Sequence, residues 1–286
     1  MWNISDYYVL PLDTWIQDFV VDWLVPNLRP YFRAAQWPVQ QLLVYLNWVL
    51  HSTPFPIFLI GAVALVWRIA GKHVAGFTFV ALIVINLLGL WADTMTTLAM
   101  VLTAVLFCTV IGVPVGVLAA RSNRFDIVLR PILDVMQTIP SFVYLVPIVM
   151  LFGIGLVPGI IATIIFAFPP IVRLTNLGIR QVSGDLVEAA ESFGSTRRQL
   201  LLDIQIPLAM PTIMAGLNQT LMMALSMVVM AALIGAGGLG LTVYTSIGRL
   251  QVGSAALGGI GIVLMAIVLD RVTQALGKTS AASRRQ

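Results

Sequence analysis

The residues best suited to chemistry lie in a polar stretch between two long apolar blocks. They are Glu188, Ala189, Ala190, Phe193 and Gly194, followed by Arg197 and by Pro207 at the end of an I-x-I-P sequence. Asp185 and Glu188 have the spacing of a helix-capping box, and Gly194 has the place of a residue that ends a helix. Phe193 offers one large apolar anchor, and the two alanines allow another surface to approach closely. This composition favours docking of a soluble partner over catalysis.

A second capping box follows at Thr196 and Gln199. Apolar residues continue from Leu200 to Ile206, and Pro207 is expected to end the turn. The stretch therefore predicts a short helix over 186–193 and a second capped helix after it. The alternative is an ordinary amphipathic connection between two membrane segments.

Two other stretches resemble nucleotide-binding motifs. The sequence GKTS at 277–280 has the form of the end of a P-loop, but Val272 occupies the position of the other required glycine. The sequence GAGGLG at 235–240 follows an apolar segment and has no acidic residue about 20 positions later. It is better interpreted as a closely packed loop or broken helix outside the cytoplasm. We therefore expect no cofactor in this chain.

Catalytic and metal-binding constellations are also not expected. His51 and His73 are isolated in the sequence, and Cys108 lies within an apolar run. An intramembrane enzyme would need a Ser–His pair, twin aspartates or H-E-x-x-H at membrane depth, and we identify none. Asp93, Asp134 and Asp270 flank apolar segments and are interpreted as charges at helix ends or in loops.

The composition is that of a polytopic helical membrane protein. Apolar residues form 59% of the 286 positions, charged residues only 10%, and the mean hydropathy is +0.97. The pI of 9.6 reflects basic loops beside membrane segments, without the aromatic–basic surface of a nucleic-acid-binding protein. The N-terminal segment contains four aspartates and lacks a positive n-region, so a signal peptide is not expected.

Apolar runs define the expected membrane segments, since one helical span needs about 20 such residues. Charge-free runs cover 54–67, 74–92, 94–120, 135–172, 204–248 and 250–269. The run 135–172 is broken by Gly153, Gly155 and the pair Pro158–Gly159, which indicates two helices joined by a tight turn. The run 204–248 is interpreted as one span near 209–234 plus a glycine-rich loop. The expected fold is all-α with about seven spans.

Basic residues set the expected orientation. If the polar stretch faces the cytoplasm, 13 of the 16 Lys and Arg residues lie on that side, and Arg29, Arg33 and Arg249 lie outside. The positive-inside rule therefore places the N-terminus outside and the C-terminus in the cytoplasm.

The first 50 residues are expected to form an extracytoplasmic or interfacial segment. Apolar residues recur at helical spacing from Trp15 to Leu24, and this predicts an amphipathic helix over 13–25 that contacts membrane lipid. Residues 39–50 are apolar but too short for a span, and are expected to be interfacial or re-entrant. The remaining divisions are peripheral helices at 51–92, a core at 93–275 and a tail at 276–286.

The polar stretch resembles the EAA signature of ABC importer permeases, EAA-x3-G-x9-I-x-L-P, with Ile206 in place of leucine. Further sequences resemble the ProW-type permeases of glycine betaine/proline importers: MQTIPSFVYLVP at 136–147, FAFPPIVRLTN at 166–176 and PLAMPTIMAGLNQT at 207–220. The resemblance covers residues 90–275. It implies a type I (MetI-like) fold in the bacterial inner membrane. It also implies that residues 183–207, here called the coupling hairpin, dock a cytoplasmic ATPase.

The same resemblance implies the partners and the substrate. Two permease copies would join two ATPase subunits, which bind ATP and Mg²⁺, and an extracytoplasmic solute-binding protein. The substrate would be glycine betaine, proline betaine or a similar osmoprotectant, and choline, carnitine or another small amine is the alternative. An ion-coupled carrier is a remote alternative, because the charge-free cores offer no ionisable residue for coupling.

Polar and aromatic residues within two apolar segments are candidates for the translocation pathway. They are Gln137, Thr138, Ser141, Phe142 and Tyr144 in the first segment, and Asn218, Gln219, Thr220 and Ser226 in the second. Aromatic faces suit a quaternary ammonium group through cation–π contacts of about 0.5–2 kcal/mol. The alternative is that these side chains only join neighbouring helices, at about 0.6 kcal/mol each.

Overall fold

The computed structural model of the protein describes residues 11–282. Every secondary-structure element in this range is a helix, which confirms the predicted all-α class. Asp6, Arg284 and Arg285 lie outside the described residues, as do the outer parts of the predicted N-terminal segment and tail.

The described range contains thirteen α-helices joined by short turns. They are α1 Leu12–Gln17, α2 Val25–Ser52, α3 Phe55–Ala70, α4 Lys72–Leu87, α5 Trp91–Arg121, α6 Asn123–Thr138, α7 Leu145–Phe152, α8 Leu156–Arg180, α9 Gly184–Ser192, α10 Arg197–Gln199, α11 Ile206–Ala231, α12 Leu239–Gly248 and α13 Val252–Ala282. Short 3₁₀ segments cover Ser141–Tyr144 and Ala232–Ile234, and π-helical segments cover Asp18–Leu24 and Leu200–Gln205.

Helices α5, α8 and α11 form the centre of the fold, and α13 packs on α11. Glycines permit the close approach of the central helices: a Cβ atom on Gly116 of α5 would lie 2.6 Å from Cβ of Thr175 on α8. Gly216 of α11 likewise faces Leu174 and Ile171 of α8. Small residues at such contacts are typical of membrane helices, which associate mainly through van der Waals packing.

The apolar segments expected from the sequence are all helical. Among the described residues, four helices are long and apolar enough to cross a membrane, and up to six spans result if each bent pair is counted as one. The bent pairs are residues 22–52 with α3, at 107°, and α6 with residues 141–152, at 104°. The shorter helix α4 accounts for the remaining expected segment.

The first of the two helices expected within the run 135–172 is bent. Helix α6 begins at Asn123 and ends at Thr138, and the chain then bends before α7. Ile139 is extended, with φ −68° and ψ 127°. The ring of Pro140 disfavours helical geometry in the residue before it, and this explains the bend.

The two halves of the N-terminal segment differ in how they pack. Residues 12–24 are helical as predicted, and Trp15, Phe19 and Trp23 are each more than half exposed. Residues 39–50, however, belong to the 28-residue helix α2, whose Val39 and Leu43 are buried in a cluster with residues of α5 and α8. This half of the segment is therefore packed against the helical core.

Candidate coupling hairpin and pathway residues

Helix α9 forms the first arm of the coupling hairpin and ends in a Schellman motif. The amide of Ser195 donates to the carbonyl of Ala190 at 3.1 Å, and the amide of Gly194 donates to Glu191 at 2.9 Å. Gly194 has φ +83°, a backbone conformation that favours glycine. The predicted role of Gly194 at the helix end is thus confirmed, although α9 covers 184–192 and not 186–193.

The predicted cap at the start of this helix is wrong. Ser183 occupies the N-cap position, without a side-chain cap, and Asp185 lies inside the first turn. Asp185 can still stabilise the helix there, because a carboxylate near the N-terminus interacts favourably with the helix dipole. Glu188 is the fifth residue of α9 and lies beyond that first turn.

The second capping box is confirmed. The hydroxyl of Thr196 accepts from the amide of Gln199 at 3.4 Å, and the Gln199 side chain accepts from the amide of Thr196 at 2.9 Å. Pro207, by contrast, does not end the arm. It lies at the start of α11, directly after the π-helical segment Leu200–Gln205, and residues 197–234 form one continuous helical segment. The second arm of the hairpin therefore leads directly into a central helix of the fold.

The coupling hairpin presents a mixed apolar and charged outer surface. Phe193 is 92% exposed, and Glu188, Ala189 and Arg197 are also exposed. Ala190 is buried, as are Leu200 and Leu201 of the second arm. Of the two alanines, only Ala189 is therefore available to a partner.

The first group of pathway candidates lies together at the bend between α6 and α7. Gln137 and Thr138 end α6, and Ser141, Phe142 and Tyr144 occupy the following 3₁₀ turn. The hydroxyl of Tyr144 donates to the carbonyl of Met136 at 2.6 Å and so joins the two sides of the bend. Phe142 is 57% exposed.

The second group is divided between two roles. Asn218 donates to Asp270 at 3.0 Å and accepts from the hydroxyl of Thr273, which joins α11 to α13. Thr220 is fully buried. Only Gln219 and Ser226 are exposed. Asn218 and Thr220 thus fit the alternative of packing between helices better than a pathway surface.

Asp270 is neither at a helix end nor in a loop. It lies within α13 and also accepts from Gln274 at 2.7 and 2.8 Å. Sequence reasoning missed this contact, because Asn218 and Asp270 are 52 positions apart.

The glycine-rich sequence at 235–240 is a packed loop, as predicted. Gly235 and Gly238 have φ +81° and +78°. The hydroxyl of Thr97 on α5 accepts from the amide of Leu239 at 2.9 Å, and Asp93 accepts from the hydroxyl of Thr242 at 2.6 Å. The sequence GKTS at 277–280 lies within α13, so its backbone does not form a phosphate-binding loop.

A polar cluster at one end of α5, α6 and α8 was not predicted. Asp126 accepts from Arg130 at 2.6 Å and from Asn176 at 2.7 Å, and its side chain is 6% exposed. Arg180 donates to Asn176 at 2.7 Å and to Asn123 at 2.8 Å. The only sequence signal for this cluster was that polar residues recur at helical spacing in α6 and in α8. That spacing is also typical of an exposed helix face.

Comparison with known proteins gives matches along most of the chain. Residues 112–281 match the family described as "Binding-protein-dependent transport system inner membrane component". The chain is 54% identical over 281 residues to the glycine betaine/proline betaine transport system permease protein ProW of Escherichia coli (strain K12), covering 97% of this chain and 79% of that protein. It is 48% identical over 273 residues to the glycine betaine/carnitine transport permease protein GbuB of Listeria monocytogenes serotype 1/2a (strain 10403S), covering 94% and 96%.

A solved structure of the MetNI methionine ABC transporter in an inward-facing conformation has the same fold. Its TM-score is 0.62 at 24% identity, covering 67% of this chain and 95% of that chain. The family match includes the coupling hairpin, the bend after α6, and helices α8 and α11. Together with the relatives above, it confirms the resemblance indicated by the EAA-like and proline-containing sequences. The protein belongs to the binding-protein-dependent transport system inner membrane components.

Proposed function

We propose that the protein is the permease of an ATP-driven importer of glycine betaine, proline betaine and similar quaternary amines. The observation that carries this proposal is the coupling hairpin, because its exposed Phe193 lies at the end of the first arm and its second arm continues into α11. The names of ProW and GbuB support the substrate class.

The proposed complex has two copies of this chain, two cytoplasmic ATPase subunits and one type of extracytoplasmic binding protein. The ATPases bind ATP and Mg²⁺, and this chain holds no cofactor of its own. The chain lies in the bacterial inner membrane with its N-terminus outside and its C-terminus in the cytoplasm. The distribution of Lys and Arg supports this orientation.

The hairpin explains how such a partner would act on the permease. Phe193 supplies a large apolar contact, and Glu188 and Arg197 supply charges of both signs around it. Binding of the hairpin in a groove of the ATPase would bury these groups. Since residues 197–234 form one helical segment, movement of the hairpin would be passed to α11 without an intervening flexible loop.

The pathway surface needs only weak affinity for the substrate. The exposed candidates at the bend, Thr138 and Phe142, and those on α11, Gln219 and Ser226, are uncharged. One aromatic face contributes about 0.5–2 kcal/mol to a quaternary ammonium group, which permits release. Tight capture would then be the task of the binding protein.

Reconstituted vesicles containing all components test the proposal. We expect uptake of glycine betaine that requires both ATP and the binding protein, and competition by proline betaine. Stronger competition by choline or carnitine would reassign the substrate within the same mechanism. Uptake driven by a proton or sodium gradient without ATP would refute the proposal.

The hairpin is tested separately by Phe193→Ala. Because this side chain is 92% exposed, the substitution should change the free energy of unfolding by less than about 0.5 kcal/mol. It should nevertheless reduce co-purification of the ATPase. Ile154→Ala is a matched control, since Ile154 is 76% exposed in the turn between α7 and α8. Equal ATPase binding by both variants would exclude docking through Phe193.

A further inference from the structure

Helix α6 is attached to the rest of the protein by few buried groups. Of its 16 residues, only Asp126 and Leu133 are buried. A buried carboxylate is costly unless its charge and hydrogen-bonding capacity are satisfied. The polar contacts of Asp126 therefore contribute substantially to where this helix lies.

These contacts form a ladder between α6 and α8. Asp126 accepts from Asn176, and its other oxygen lies 3.5 Å from Arg180. Two turns further along α6, Asp134 pairs with Arg173 at 2.5 Å. Residues 173, 176 and 180 share one face of α8, and residues 126 and 134 share one face of α6, because each set has helical spacing.

Arg180 is the most connected member of this ladder. Its guanidinium also donates to the carbonyl of Ala119 at 2.8 Å and to Asn123 at 2.8 Å, so it joins the end of α5 and the start of α6 to α8. Arg180 is the last residue of α8, and the chain enters α9 four residues later, at Gly184. The same side chain thus contacts α6 and lies at the base of the coupling hairpin.

We propose that Arg180 is a positioning residue that transmits movement of the coupling hairpin to α6 and, through it, to the bend that carries Thr138 and Phe142. The proposal rests on the permease function proposed above. Displacement of the hairpin moves the end of α8, and the hydrogen bonds of Arg180 make α6 follow. Helix α6 then acts as a lever about 24 Å long, at 1.5 Å per residue.

Two variants and a control test this link in the assembled complex with ATPase and binding protein. Arg180→Gln removes the charge and the forked hydrogen bonds, and Asp126→Asn keeps the side-chain size while removing the charge. The control is Arg130→Gln. Arg130 contacts the same carboxylate, but it lies on α6 itself and its side chain is 66% exposed, so it does not join α6 to α8.

The measured quantity is substrate taken up per ATP hydrolysed, normalised to assembled complex. We expect this ratio to fall about tenfold for Arg180→Gln and Asp126→Asn with ATP hydrolysis retained, since charge-assisted hydrogen bonds are lost. The Arg130→Gln complex should have the same ratio of uptake to ATP hydrolysis as the wild-type complex. A purely structural role would lower the yield of complex without changing the ratio.

Two outcomes would overturn the proposal: an unchanged ratio in both variants, or equal loss of ratio in Arg130→Gln. If Arg180→Gln does not assemble, Asp126→Asn decides alone by the same criterion. If the proposed permease function itself is wrong, the wild-type complex will show no ATP-dependent uptake. That result differs from either outcome for the variants.

Discussion

Gly194 provides the most direct test of the coupling hairpin. Its φ of +83° places it in the left-handed region, and it is the residue after the cap of the Schellman motif that ends α9. A Cβ atom at this position would have no other heavy atom within 4 Å, apart from its chain neighbours. Substitution therefore costs backbone energy and not a steric clash with the rest of the protein.

The expected magnitude follows from this geometry. A non-glycine residue in the left-handed region costs about 1–2 kcal/mol, and a β-branched residue lies at the unfavourable end. This energy changes an equilibrium by about 5–30-fold. If the hairpin of Gly194→Val leaves the conformation that binds the ATPase when it is free, the apparent affinity for the ATPase falls by up to this 5–30-fold factor. Insertion into the membrane should be unchanged, because the hairpin lies between the apolar segments.

The assay compares three variants for ATPase affinity, ATP hydrolysis and uptake. Gly194→Val should bind the ATPase weakly and uncouple hydrolysis from uptake. Gly194→Asn should retain most of both, since asparagine tolerates this conformation better than other residues. Gly184→Val is the matched control, because Gly184 lies in the same hairpin, has open space around it and lacks a positive φ. Equal affinity and coupling of Gly194→Val and Gly184→Val would refute the reasoning.

Four further predictions concern topology, packing, the glycine-rich loop and the energy source. Ser195→Cys, in a background without the native cysteine, should react with an impermeant thiol reagent only from the cytoplasmic side; labelling from outside would reverse the proposed topology. Asn218→Leu should lower the free energy of unfolding in detergent by about 1 kcal/mol, because its hydrogen bond to Asp270 is lost, while assembled complexes keep uptake. Gly238→Ala should destabilise by about 2–4 kcal/mol through its φ of +78° and overlap with α5, whereas Gly253→Ala, in open space, should change stability by less than about 0.5 kcal/mol. The chain purified alone should hydrolyse no ATP and show little affinity for glycine betaine; measurable hydrolysis would contradict a separate ATPase.

Features that depend on short stretches of sequence could be predicted well. The apolar segments form helices because a backbone in hydrocarbon must satisfy its hydrogen bonds internally. The turn between α7 and α8 occurs where Gly153 and Gly155 adopt φ +86° and +123°. Gly194 and the Thr196–Gln199 box end and begin the arms of the hairpin, as their local patterns indicated. Each of these features involves residues within a few positions of one another.

Tertiary structure decided which side chains meet and which face a partner. Arg180 reaches Asp126 across 54 positions, and Asn218 reaches Asp270 across 52, without a motif that marks either contact. The sequence likewise treats Ala189 and Ala190 as equivalent, but in the folded protein only Ala190 is buried. The short apolar run at 39–50 likewise does not show that Val39 and Leu43 are buried in a cluster with residues of α5 and α8. Such outcomes depend on how whole helices pack, because a polar or apolar side chain on a helix can serve equally as surface or as contact until its neighbours are fixed.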